Sequence, residues 1–422
     1  MKKVFTELKN EKYNRVIKNF ISLFILQGLN YILPMITVPY LTRTLGATSY
    51  GIVLFATSTV TYFQIFTDYG FNLSATRRIS INRGDSTKVN DIFCSVISIK
   101  LVFFLISCII MAFMVNFIGR FGQNPEVFYT MLLLVLGNVI FPIWLFQGLE
   151  EMKYIVYINI IIKTFITILT FIFVNNSGDF LRLAFINSLA SLLTGFICLI
   201  IAYKKFKLKF YIPKINVIIG DLKEGWHIFI TSMLSSIITN TGVFVLGMFT
   251  SDTLVGYYGG IDKIVKAFSS MFIPVTQAIF PYVNSKFNES YEEGKEELLK
   301  ISKIVLIITG LICLGIIVFN KLIVLILLGK EYLDYSQVLQ IMAIWIFLSI
   351  LNNLLGVQYL IGTGHGGYYS KAFSIAAVVT LIIMLVLINF ISIYAVVIAT
   401  ILGEFTLTVS MVYIIKRKIS KN

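Results

Sequence analysis

Charge is scarce in this chain. Only 13% of its 422 residues are Asp, Glu, Lys or Arg while 57% are hydrophobic, and the mean hydropathy is +0.87. That balance excludes an ordinary water-soluble core. The four cysteines, Cys94, Cys108, Cys198 and Cys313, lie in or beside apolar runs without pairing or metal-ligand spacing, so they read as small buried thiols. His227 and His365 stand alone, which argues against a metal centre. Five of the seven prolines (Pro34, Pro39, Pro142, Pro274 and Pro281) fall within or at the ends of apolar runs, where soluble helices avoid them.

What the chain has instead is long apolar runs. Phe20 to Leu41 and Tyr50 to Phe66 are separated only by the polar turn Thr42-Arg43-Thr44 and read as a membrane hairpin. A helix needs about 20 residues to cross the hydrocarbon, and only helices or closed barrels satisfy their backbones there. A similar layout returns later: with Lys18 set against Lys223, SLFI falls over HIFI, and SYGIV (Ser49 to Val53) over LVGYY (Leu254 to Tyr258). Such internal repetition is common in transporters. The basic, polar start MKKVFTELKNEKYNRVIKN is too long for a cleavable signal, so the first helix is expected to be retained.

Further helices are expected over Asp91–Phe117, Glu126–Phe146, Tyr154–Val174, Phe180–Tyr203, Trp226–Phe249, Thr253–Val283, Ile301–Phe319, Ser336–Ile361, Tyr369–Phe390 and Ile393–Ile415, about twelve in all. LIVLILLG (Leu322 to Gly329) is expected at the interface. The basic stretch KKFKLKFYIPK is the one seam, dividing an N-terminal lobe (1–203) from a cytoplasmic connector (204–224) and a C-terminal lobe (225–422). Of the 35 Lys and Arg, 26 fall on one side of the spans and five on the other, which places both termini in the cytoplasm. The net charge of +14 is thereby a topology signal, and no nucleic-acid partner is implied.

The remaining four cations lie inside spans: Lys100, Lys163, Lys263 and Lys266, with the carboxylates Asp262 and Glu404. Charges there cost about 3 kcal/mol each and normally face a bundle interior or aqueous cavity. Asp262 and Lys266, spaced i,i+4, can satisfy each other, and Glu404 can pair with any of the lysines. An excess of lysine still remains, and an unpaired midplane cation calls for an anionic ligand. Arg43, Asp68 and Arg77 are gate candidates at the hairpin ends, with Asp68 placed to meet Arg77 or Arg78. Asn30, Thr37, Thr57, Thr61, Gln64, Asn138, Asn240 and Thr241 are candidates for a polar lining. GTGHGG (Gly362 to Gly367) lacks a preceding strand and reads as a tight turn rather than a phosphate loop.

Four segments, NFISLFILQGLNYILPMITVPYLTRTLGATSYGIVLFA, TDYGFNLSATR, FPIWLFQGLEEMKYIVYINIIIK and YYGGIDKIVKAFSSMFIPVTQAIFPYVNSK, together resemble the bacterial polysaccharide flippases of the Wzx type. The resemblance implies an all-α inner-membrane protein of the superfamily shared with MATE multidrug exporters and the lipid II flippase. Two six-helix lobes would form a V around a central cavity. The implied substrate is an undecaprenyl-diphosphate-linked oligosaccharide, an O-antigen repeat unit, moved to the periplasmic leaflet by alternating access without covalent chemistry or a cofactor. Lys100, Lys163, Lys263 and Lys266 would then hold the diphosphate. Asp262 and Glu404 would serve as counter-ions or couple transport to a proton or sodium gradient. Membrane lipids, a polysaccharide polymerase and a chain-length regulator are the implied partners. The alternatives are another lipid-linked glycan (capsule, teichoic acid or lipid II), a multidrug antiporter, or a membrane glycosyltransferase or polymerase. Surplus lysine argues against an organic-cation cavity, and short outer loops argue against an enzyme that works there.

Overall fold

The computed structural model describes residues 11–419, and among them all regular structure is helical. Lys2, Lys3, Lys9 and Lys421, used above for orientation, and the Asn30 side chain lie outside the described residues. The first helix, α1, runs Glu11–Asp68, far longer than one crossing, and is broken at Gly46 (φ 71, ψ 172). A positive φ of that size suits glycine alone without strain. The break therefore falls beyond the expected turn at Thr42-Arg43-Thr44. Thr42 stays helical, its hydroxyl donating to the carbonyls of Val38 (3.0 Å) and Pro39 (3.3 Å).

Helices α2 (Phe71–Ile81), α3 (Ser86–Phe117), α4 (Pro125–Ile140), α5 (Ile143–Gly148), α6 (Met152–Phe173) and α7 (Phe180–Phe206) follow. Next come α8 (Ile215–Phe249), α9 (Asp252–Ser270), α10 (Ile273–Glu289) and α11 (Tyr291–Leu327). The chain ends with α12 (Ser336–Asn353), a π-helical stretch over Leu354–Ile361, α13 (Gly366–Ile391) and α14 (Ile393–Ile414). Nine spans are long and apolar enough to cross a membrane among the described residues, and bent α8 supplies a tenth. At 58 residues, α1 is itself long enough for two crossings. On α3, Val102, Leu105, Ile109, Phe113 and Phe117 are exposed at helical spacing, an apolar stripe of the kind that a membrane-spanning helix presents to lipid.

Three details depart from the sequence reading. The expected helix over Glu126–Phe146 is interrupted at Phe141–Pro142, where proline cannot continue the backbone ladder, and resumes as α5. The expected helix over Thr253–Val283 breaks at Met271–Phe272, just ahead of Pro274, into α9 and α10. LIVLILLG, expected as a separate short piece, is joined through Leu327 to α11 across a kink at Phe319 (φ −100, ψ 16).

The chain divides into two compact units. One is built on Ala56–Met233 with the start of the chain through Leu33, and the other on Pro34–Phe55 with Leu234 onward. In the first, α4 and α7 pack through small polar residues: Ser188 and Ser191 donate to the carbonyls of Thr130 and Leu134, each at 3.0 Å. Trp144, fully buried on α5, packs its ring against Phe93, and the Thr76 hydroxyl donates to its carbonyl at 3.3 Å. The FPIWLFQGLEE and TDYGFNLSATR segments thus meet in one core.

The seam is held in the same unit. Asn90 pairs with the backbone of Lys209, donating to its carbonyl (2.9 Å) and accepting from its N–H (2.7 Å). Tyr211 donates its hydroxyl to Asp91 (2.6 Å), which with some burial pushes that phenol up to about 12. The non-helical stretch after α7 is therefore fastened to the start of α3.

In the second unit the repeat becomes visible as a contact between α1 and α9. The hydroxyls of Thr48 and Thr253, 205 positions apart, lie 2.8 Å from each other. A Cβ on Gly51 would fall 1.8 Å from the Asp252 carbonyl oxygen, and one on Gly256 would fall 1.9 Å from that of Ala47. Thr48 and Thr253 are equivalent in the register that sets Lys18 against Lys223, and that register exchanges the Gly51–Asp252 contact with the Gly256–Ala47 contact. Repeated residues face each other reciprocally, and side chains are excluded where the backbones touch.

Candidate functional site

The intramembrane charges fall into local clusters. In the first unit, Lys100 is 1% exposed on α3 and donates to the Asp68 carboxylate (2.8 Å) and the Asn138 carbonyl (3.1 Å). Asn72, one turn beyond Asp68, donates to its second oxygen at 3.3 Å. Asp68 thus meets neither Arg77 nor Arg78. Arg78 pairs with the buried Asp221, which also accepts from Ser95 (2.6 Å), while Arg77 is exposed on the other face of α2. Lys163 sits half-buried on α6.

In the second unit, Lys266 bonds Asp262 one turn earlier on α9 (2.7 Å) and the Thr239 carbonyl on α8 (2.9 Å). Lys263 is exposed on the same helix and makes no ion pair or hydrogen bond among the described residues. It lines a small recess with Pro34, Val38 and Pro39 of α1, Ala267 and Leu327. With Asp262 neutralised by Lys266, the net charge at that turn of α9 is the single positive charge of Lys263.

Glu404, buried on α14, is held by an amide instead of a lysine. Asn352 of α12 donates to its carboxylate (2.6 Å) and to its carbonyl (2.9 Å), and Thr408 donates to the Asn352 amide oxygen (2.7 Å). Arg43 turns its guanidinium to the carbonyls of Leu325 (3.4 Å) and Ile326 at the end of α11, where helical carbonyls lack intrahelical partners and the dipole favours a cation. Glu331 accepts the Ala47 N–H (3.3 Å), the donor freed by the break at Gly46.

Outside the spans, Glu151 is held by Lys205 (2.7 Å) and Lys153 (3.5 Å). Burial pushes its carboxyl upward, but the hydrogen bond and charge of Lys205, aided by Lys153, outweigh it and leave the group below the usual carboxylate range. No group of three or more His, Cys, Asp or Glu capable of holding a metal occurs among the described residues. Sequence reasoning missed the Arg78–Asp221–Ser95 and Glu404–Asn352–Thr408 clusters. The second had a visible signal in Asn352-Asn353, an amide pair inside the apolar run around α12.

Residues 16–286 match the model of a family described as polysaccharide biosynthesis protein. The chain belongs to that family. A relative from Escherichia coli (strain K12), described as a putative O-antigen transporter, is 32% identical over 367 residues, 87% of this chain and 88% of its own length. One from Shigella dysenteriae with the same description is 28% identical over 94% of this chain and all of its own length. Among solved structures, the lipid II flippase MurJ in an inward closed conformation aligns at TM-score 0.72 with 16% identity, covering 95% of this chain and 87% of MurJ. An inward-facing multidrug resistance MATE family transporter of the MOP superfamily aligns at 0.70 with 14% identity, covering 95% and 98%. These likenesses establish a MATE-like fold for this member of the polysaccharide biosynthesis family, as the quoted segments suggested.

Proposed function

We propose that this chain is a flippase for a lipid-linked polysaccharide precursor, an undecaprenyl-diphosphate-linked O-antigen repeat unit carried from the cytoplasmic to the periplasmic leaflet. The family match and the two O-antigen transporter relatives support the substrate class. The observation that carries the chemistry is Lys263, a cation without a counter-ion of its own at the wall of an apolar recess. A diphosphate head crossing the hydrocarbon loses its hydration, and a fixed positive charge offsets that loss. Lys163 is the second cation we assign to the path. Lys100 and Lys266, each already bonded to a carboxylate, would hold the geometry around it.

Transport on this reading needs alternating exposure of one site and no bond-making. The moving bodies we assign are lobes 1–203 and 225–422 about the 204–224 connector, with both termini cytoplasmic in a bacterial inner membrane. Glu404, whose carboxylate accepts from the neutral Asn352 amide, is the carboxylate we assign to coupling with a proton or sodium gradient. The test is Lys263→Gln expressed from the native locus. Loss of surface glycan with lipid-linked repeat units accumulating inside and membrane abundance unchanged is the expected result. Normal surface glycan would overturn the role of Lys263, and normal glycan on deleting the gene would overturn the function.

A further inference from the structure

Resting on the flippase reading, we propose that a second, uncharged cleft in the unit containing α9 to α14 binds the sugar portion of the substrate. Two recesses of about 350 and 220 Å³ share Ile273, Thr276 and Asn353 and so form one continuous cleft between α9–α10 and α12 with its π-helical extension. Its polar lining is Ser269, Thr276, Gln277, Ser349, Asn353 and Gln358, and no Asp, Glu, Lys or Arg lines it. Phe280 supplies an aromatic wall. Neutral amides and hydroxyls beside an aromatic ring suit a ligand that is rich in hydroxyl groups and carries no charge. The size lies within the range of small-molecule sites.

Two independent features mark it as more than a packing seam. Gln358 is 1% exposed, and its amide nitrogen donates to the Thr276 carbonyl (2.9 Å) while its amide oxygen has no partner. A buried acceptor left unmade is costly and waits for a donor. The wall that carries it, Leu354–Ile361, is π-helical, a distortion that recurs at functional sites. Position fits the chemistry too. Ser269 follows Lys263 by six residues, about 9 Å along α9, so an anion held at Lys263 would leave the attached sugars within reach of the cleft.

The experiment uses the full chain in lipid nanodiscs and two probes: undecaprenyl phosphate, and the lipid-linked repeat unit extracted from the same bacterium. Gln277 is exposed at the cleft, so Gln277→Ala leaves the packing intact, and it is combined with Asn353→Ala. Each lost hydrogen bond weakens binding several-fold, so the double variant should bind the glycan-bearing lipid about tenfold more weakly and the bare lipid unchanged. Equal affinity for the glycan-bearing lipid in variant and wild type would overturn the cleft while leaving the flippase reading intact. Equal loss for both probes would also overturn it, since the cleft would then be reading the lipid. If wild type binds neither probe, the flippase reading itself fails and the inference with it. Should Asn353→Ala lower the unfolding temperature, Gln277→Ala alone carries the test, with a several-fold selective loss expected and no selective loss overturning the proposal.

Discussion

Removing one partner of the Lys100–Asp68 pair should do more harm than removing both. Lys100 is 1% exposed, so its ammonium depends on Asp68 at 2.8 Å and the Asn138 carbonyl at 3.1 Å. Orphaning a fully buried charge costs about 3–5 kcal/mol. Asp68→Asn leaves Lys100 in that position and should approach the full penalty. Lys100→Met leaves Asp68, whose side chain is 21% exposed and keeps Asn72, so about 2 kcal/mol is expected for it. The double variant Lys100→Met with Asp68→Leu removes both charges and should return to within about 1 kcal/mol of wild type. Thermal unfolding of the purified protein in detergent, with membrane abundance as a second readout, orders the three variants. An unaltered Asp68→Asn protein would refute the structural pairing. A stable Lys100→Met protein that fails to export glycan would show that Lys100 acts on substrate instead.

Cysteines at Thr48 and Thr253, whose hydroxyls lie 2.8 Å apart, should cross-link under mild oxidation and arrest export until reduced; full export with the bridge closed would show that α1 and α9 need not part there. Glu151, held below its ordinary value of 4.5, contributes stability that is present above that value and lost as pH falls through its lower folded value. Unfolding of the wild type should therefore steepen below about pH 4.5 relative to Glu151→Gln, and parallel profiles would refute the Lys205 contact as the cause. Single cysteines at Ser251 and Asn176 should be labelled from outside the cell and one at Lys209 only after permeabilisation, and the reverse pattern at two of them would end the twelve-span orientation.

The spans were legible because crossing length and charge asymmetry are properties of local sequence. Breaks were less so. Pro142 and Pro274 signalled theirs, but Gly46 competed with the more polar Thr42-Arg43-Thr44, which stays helical because Thr42 returns its hydroxyl to the preceding turn. Among charges, Asp262–Lys266 could be read from spacing alone. Lys100–Asp68 joins α3 to α1, Arg78–Asp221 spans 143 positions, and Glu404 chose an amide, choices that only packing decides. The weak repeat was real where it mattered most, at Thr48 and Thr253, because close backbone approach tolerates only small residues in both copies.

The most direct test of the central claim is translocation by the purified chain in proteoliposomes. Lipid-linked repeat units are loaded in both leaflets, and an impermeant glycosidase digests those exposed outside. Wild type should bring the inner pool into reach until digestion is complete, and Lys263→Gln should stop at the outer half. Wild-type vesicles in which half the substrate stays protected would contradict the account.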